Sequence, residues 1–335
     1  MKAPLLIEKL LSLLVILVGM TVITFFVARV IPADPAHLAA GVDAPPAQVE
    51  AMRKALGLDR PLPVQFWTYF RGLLRGDLGR SLATRRPVWE DLKLYFPATL
   101  ELATVAIVVY VVIGIPLGVF TAMARGSVSD YLIRLLSVAG MGIPAFALGL
   151  LLQIVFARGL GWFPLAGRLD TSLAPPFHVT GMYVVDSLLA RDWTVLRSSL
   201  VHLVLPVMSL ALGRLAVAAR FTRTSLLEVL NLDYVRTAHA KGLGKWMVVF
   251  RHALPNALIP VVTILGIQIG YLLGGTVLVE IVFAWPGLGR YAVASIFNFD
   301  FYSVIGVTLV ISTIFVLTNF AVDLLYRVID PRLRV

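Results

Sequence analysis

The chain of 335 residues contains no cysteine, and only 14% of its residues are charged. Lack of cysteine excludes disulfide staples, thiolate metal sites and a cysteine nucleophile. Scarcity of charge excludes an ordinary soluble domain, where about 25% of residues are charged. Several catalytic patterns are missing too. "GLGKW" lacks both the Gly five residues before its Gly-Lys pair and the Ser/Thr after it, so there is no Walker-A phosphate loop. His37, His178, His202, His239 and His252 show no HExxH or other ligand spacing. No GxSxG occurs, and no paired carboxylates fall within an apolar run, which removes the usual carriers of membrane hydrolysis and proton pumping.

What the chain has instead is apolar length: 59% of it is hydrophobic, with a mean hydropathy of +0.88. Charge-free runs cover Leu10–Ala28, Leu102–Ala124, Leu135–Ala157, Ala253–Val279 and Phe301–Val322. Each is near or above the ~18–20 residues that cross a bilayer as a helix. A sixth, Ser198–Gly213, continues past Arg214 to Ala219, with Arg214 and Arg220 expected to snorkel toward headgroups. The first run is longer than the ~7–15 apolar residues of a signal peptide, so it is expected to be a retained span. The sequence predicts an all-α polytopic membrane protein with six transmembrane helices, near 10–31, 98–124, 131–158, 199–219, 257–279 and 302–325.

The net charge of +10 is distributed as the positive-inside bias demands, which displaces a nucleic-acid reading. Residues 220–252 carry Arg220, Arg223, Arg236, Lys241, Lys245 and Arg251 against Glu228 and Asp233. The ends add Lys2 and Lys9 against Glu8, and Arg327, Arg332 and Arg334 against Asp330. Residues 159–198 balance three Arg with three Asp. Both termini and the 220–252 loop are therefore expected in the cytoplasm. The organisation follows: an N-terminal span (1–31), an extracytoplasmic segment (32–97) and a core (98–328) holding a cytoplasmic loop (221–256). Pro45-Pro46 starts a short helix that Gly57 stops, and "VQFWTYFRGLL" forms an amphipathic one ending near Gly76-Asp77. Pro116 and Pro144 are expected to interrupt spans 2 and 3. Ser81 outside and Ala240 inside are the positions at which an introduced cysteine would report this topology.

Gly266, Gly270 and Gly274 recur every four residues in span 5, a stripe that lets another backbone approach. It serves either packing within the chain or a surface against a second membrane chain, and Gln268 is expected to point away from it. Glu280, Trp285 and Pro286 follow in "VEIVFAWPGLGR", where Trp285-Pro286-Gly287 and Gly289 do not continue a helix comfortably. This stretch is either a gate near the outer face or a plain connector. These residues are the candidates for the translocation path.

The polar loop "DYVRTAHAKGLGKWMVVFRHALPNALIP" carries a second pattern. It resembles the loop of ATP-binding-cassette importer permeases that reads EAA, three residues, Gly, nine residues, Ile-x-Leu-Pro. Arg236, Thr237 and Ala238 stand at the EAA positions, then His239, Ala240 and Lys241, then Gly242; His252, Ala253, Leu254 and Pro255 close the motif. Arg236, Thr237 and His252 depart from the general pattern in the manner of the dipeptide/oligopeptide branch. "GDLGRSLATRRPV", "IPAFALGLLLQIVFA", "HLVLPVMSLAL" and "VEIVFAWPGLGR" are similar to the first permease chain of that branch as well.

The resemblance implies the type I importer permease fold in the cytoplasmic (inner) membrane of a prokaryote. It implies a heterodimer with a sister permease, one or two ATP-binding subunits that carry ATP and Mg, and an extracytoplasmic substrate-binding protein; no cofactor, no nucleic acid and no catalytic residue belongs to this chain. It also implies a coupling helix seated on an ATPase subunit, made by Asp233, Tyr234, Val235, Arg236, Thr237, Ala238, His239, Ala240, Lys241, Gly242 and Leu243, with Leu254 and Pro255 behind it. Asp233 and Lys241 suit the ends of a two-turn helix, Gly242 and Gly244 would stop it, and Tyr234, Thr237 and Ala238 share a side. The branch is associated with dipeptides, longer peptides, glutathione, nickel complexes and some sugars. An ion-coupled carrier or channel, or a membrane scaffold, are the rival readings; the first needs intramembrane acids, and Glu101, Glu280 and Asp323 sit near predicted span ends.

Overall fold

The computed structural model describes residues 3–30, 35–41 and 44–329. Lys2, Asp330, Arg332 and Arg334, counted above toward the charge bias, lie outside the described residues. The helices are α1 (Ala3–Val30), α2 (Pro35–Ala40), α3 (Pro46–Ala55), α4 (Leu62–Leu74), α5 (Val88–Met123), α6 (Val128–Gly142) and α7 (Ala145–Leu152). A π-helical turn, Gln153–Gly159, follows α7. Then come α8 (Tyr183–Ala190), α9 (Trp193–Leu230), α10 (Asp233–Ala240), α11 (Lys245–Met247), a second π turn (Val248–Ala253), α12 (Leu254–Val282), α13 (Leu288–Phe297) and α14 (Phe301–Ile329).

Among the described residues, four segments are long and apolar enough to cross a membrane: Val88–Met123, Trp193–Leu230, Lys245–Ile269 and Phe301–Val322. Leu11–Val27 and Ala145–Gly159 are shorter apolar segments, at the places of predicted spans 1 and 3. Three expectations need correction. Pro116 does not interrupt its span, because α5 runs unbroken from Val88 through both Pro97 and Pro116. Span 3 is two helices: Ile143, held extended before Pro144 (φ −95°, ψ 122°), separates α6 from α7. Span 4 does not end near Ala219. The helix continues to Leu230, and Arg214 turns back along it, its Nη1 donating to Leu210 O at 3.0 Å, instead of reaching toward the helix's C-terminal end.

The described residues of 1–99 and 286–316 make one compact unit. Phe25, Tyr69 and Ile305 form one part of its core, and Val88, Leu92, Leu288, Tyr291 and Val307 form another. "GDLGRSLATRRPV" folds into a tight hairpin, with Arg80 paired to Pro87 and the Val88 N–H donating to Gly79 O at 3.0 Å. Gly79 is obligatory there, having φ +82° and the Tyr302 ring 2.7 Å from where a Cβ would stand. Ser81 is 2% exposed and donates to the buried Asp300 carboxylate, so it is unsuited to surface labelling; Ala83 in the same hairpin is exposed. Gly289 lies inside α13, against expectation.

The second unit, the described residues of 100–285 and 317–335, is built around α9, which packs on α6, α7, α8 and α12. Gly114 and Gly118 of α5 lie against α9. A Cβ on Gly118 would stand 2.5 Å from Ala219 O, and one on Gly114 2.8 Å from Ala218 Cβ. This is the close backbone approach that small residues four apart permit in membranes, where burial alone does not drive helices together.

Candidate coupling surface and path residues

The helix expected over residues 233–241 is α10, Asp233–Ala240. Its C-terminus is closed by Gly242 at φ +77°. Gly242 N–H donates to His239 O at 2.9 Å and Leu243 N–H to Ala238 O at 3.4 Å, the paired bonds of a Schellman stop. Gly244 plays a different part from the one expected: its backbone is extended and it precedes α11. Asp233 sits in the first turn, favourable to the helix dipole.

Val235 and Ala238 face inward. They join Val119 and Ala122 of α5, Leu226 of α9, Val248, Val249 and Ala253 of the π turn and Ala257 of α12 in one buried cluster. Leu243 and Leu254 pack on its edge. Ala238 was expected to seat a partner beside Tyr234 and Thr237, but its side chain is spent on its own chain. Burying Val235 alone contributes about 1.5–3 kcal/mol. Tyr234 bridges outward: its hydroxyl donates to His252 O at 3.3 Å and accepts from Asn256 Nδ2 at 2.8 Å. Asp233, Arg236, Thr237, His239, Ala240 and Lys241 are exposed, as is Pro255 in the first turn of α12. The Arg236–Asp233 pair at 3.4 Å is solvated and adds little. Trp246 and Phe250, stacked at 5.7 Å, are also exposed beside this surface; the motif match passed over them.

Asp130 is a second residue that sequence reasoning missed. It is buried, and it accepts from Arg223 Nε at 2.8 Å and Nη2 at 2.9 Å and from Gly126 N–H at 3.2 Å. The Arg223 hydrogen bonds, against an opposing push from burial, hold its carboxyl below the usual carboxylate range. The bonds tie the α5–α6 turn to α9. The signal was available in principle, since Ser127 and Asp130 stand at N-cap and N3 of α6.

The path candidates separate. Gly266 is a packing position, because a Cβ there would lie 2.2 Å from Val322 Cγ1 of α14. Gly274 has nothing within 4 Å of its absent Cβ, so the two do not share one contact. Gly270 lies in α12 between them. Gln268 lines a cavity of about 240 Å³ with Ser209 and Arg214. Glu280 and Trp285 are fully buried and Pro286 is half-buried.

The backbone after α12 is clamped. Gln153, buried in the first π turn, donates to Leu165 O at 2.7 Å and Val282 O at 3.0 Å, and Gly167 N–H donates to Phe283 O at 2.9 Å. Arg168 stands 5.4 Å from the Trp285 ring and 3.7 Å from that of Tyr183. Its Nη2 donates to Glu101 Oε2 at 2.5 Å and Gly181 O at 3.1 Å, and Glu101 Oε1 accepts from Val184 N–H at 2.7 Å. Glu101 was expected near a span end. What the sequence does not show is that it is 3% exposed and half of a buried ion pair.

Two family models match the chain. "Binding-protein-dependent transport system inner membrane component" covers residues 114–335, and "Binding-prot-dependent transport system membrane comp, N-term" covers 3–103. The chain is 49% identical to the probable D,D-dipeptide transport system permease protein DdpB of Escherichia coli K12, over 96% of this chain and 95% of that one. It is 42% identical to the dipeptide transport system permease protein DppB of Alkalihalophilus pseudofirmus, over 98% of each. It is 40% identical to the glutathione transport system permease protein GsiC of Pectobacterium atrosepticum, again over 98% of each. These relatives are transport permeases, not enzymes. With its long apolar helices and matches running from residue 3 to 335, the chain belongs to the inner-membrane permease family of binding-protein-dependent transport systems.

Proposed function

We propose that this chain forms, with a sister permease, the path by which an ATP-driven importer takes up di- or oligopeptides or a related small solute delivered by an extracytoplasmic binding protein. The relatives named for dipeptide and glutathione transport support the solute class. ATP and Mg belong to the ATPase subunits. Both termini and residues 221–256 face the cytoplasm; 1–31 is the first span, 32–97 lies outside, and 98–328 is the core.

The observation that carries the mechanism is the two-sidedness of α10. Its inner face is locked into a core shared with α5, α9 and α12, while its outer face offers Arg236, Thr237, His239 and Lys241. A displacement of α10 therefore moves the ends of three long helices together. ATP-driven closure of the ATPase subunits supplies that displacement, provided they bind the two states of the permease unequally.

Purification from mild detergent tests this: an ATPase subunit and a second permease should accompany the chain, and their absence would sink the proposal. Orientation is tested by impermeant thiol labelling in intact cells, where Ala83→Cys should react and Ala240→Cys should not.

A further inference from the structure

A guanidinium in the interior of a spanning helix is costly unless something answers its charge. Arg214 lies in the interior of α9, and among the described residues no carboxylate is within ion-pair distance of it. Its Nη1 donates to Leu210 O at 3.0 Å, while its Nε is buried without a partner. The fold makes room for the group: a Cβ on Gly275 would stand 3.2 Å from Nη2. The residue borders the cavity of about 240 Å³, whose other walls include Ile143, Leu148, Val217 and Gln268.

We propose that this cavity binds a carboxylate group of the solute during its passage, with Arg214 as the charge and Gln268 as a second donor. The proposal rests on the reading of the chain as a peptide-importer permease. The Gln268 side chain makes no hydrogen bond to a described residue, so its amide is available to the cavity it lines. Ser209 is not, since its hydroxyl donates to Pro206 O at 2.7 Å. A guanidinium–carboxylate contact is charge-assisted on both sides and so is stronger than a neutral hydrogen bond. The volume is below the ~300–1,000 Å³ that encloses a whole ligand, so the site holds an end group and not an entire peptide. Two donors without a full cage suit a transport site, which must release what it binds.

The test uses the complete importer in proteoliposomes, with radiolabelled alanyl-alanine as the probe. Arg214→Gln is expected to lower uptake about tenfold or more, the scale of a hydrogen bond to a charged group, with ATP hydrolysis still stimulated by the loaded binding protein. Arg214→Lys keeps part of the rate. Wild-type uptake by Arg214→Gln overturns the proposal.

A second readout applies if Arg214→Gln does not assemble. Leu148→Cys in this cysteine-free chain should react faster with an anionic sulfonate methanethiosulfonate than with its trimethylammonium counterpart. Alanyl-alanine should slow that reaction, while alanyl-alanine amide and inorganic phosphate should not. Equal reagent rates, or equal protection by amide or phosphate, overturn the proposal. Absence of ATP-driven alanyl-alanine uptake by the wild type would instead count against small dipeptides as the solute, and the reagent preference would still decide whether the cavity attracts anions.

Discussion

Replacing Glu101 with Gln isolates the buried ion pair. In the native chain both partners are nearly inaccessible, at 3% and 7% exposure, and the carboxylate accepts from Arg168 and from the Val184 N–H. Glutamine preserves volume but leaves the guanidinium with Gly181 O, the Tyr183 face and no counter-charge. Breaking one side of a buried pair costs about 3–5 kcal/mol, most of it the burden of the stranded charge. Replacing both sides, Glu101→Leu with Arg168→Met, strands nothing, and is expected to recover at least about half of that loss. SDS titration of the purified permease in mixed micelles, followed by helical circular dichroism, measures all three variants. A loss below about 1 kcal/mol for Glu101→Gln, the range of exposed pairs, would refute the reasoning. So would a double variant as unstable as the single one.

Three further outcomes are expected. Gly118→Val should prevent α5 and α9 from closing and lower the yield of assembled permease, whereas Val112→Ala on an exposed part of α5 should not; fluorescence-detected size exclusion distinguishes them. Asp130→Asn should cost about 1.5–3 kcal/mol at neutral pH. Because the folded carboxyl titrates below its ordinary value, that stabilisation is complete above about pH 5 and disappears as the pH falls through the folded value; a wild-type advantage unchanged at pH 3 contradicts the assignment. Gly242→Val places a β-branched residue at φ +77° and undoes the stop of α10. ATP hydrolysis should then continue without uptake, and normal transport by the variant would count against α10 as the coupling element.

Much of the fold was legible because bilayer physics writes itself into apolar length. Each predicted span coincides with a long helix or a shorter apolar segment, and the two helices of residues 46–74 were announced by their prolines and glycines. Local rules failed where packing decides. Pro116 and Pro144 look alike in sequence, yet the first lies inside a helix braced by α9 while the second follows a run weakened by Gly140 and Gly142. Arg214 read as a snorkelling end residue because nothing in the sequence shows that α9 runs on for sixteen residues beyond it.

The candidate site was legible as a motif but not as a surface. The register of Gly242, Leu254 and Pro255 located α10, while only the packing of Val235 and Ala238 shows which face is free. Glu101, Arg168 and Asp130 are paired with residues 67 to 93 positions away, and one sequence carries no trace of such pairing.

The coupling role of α10 depends most on what touches its outer face. A photo-crosslinking amino acid at Thr237, activated in intact cells, captures that neighbour for mass spectrometry. An ATP-binding subunit in the adduct, lost when the crosslinker is moved to the exposed Val64 of α4, is the expected result. Capture of lipid alone, or of proteins other than an ATPase, would contradict it.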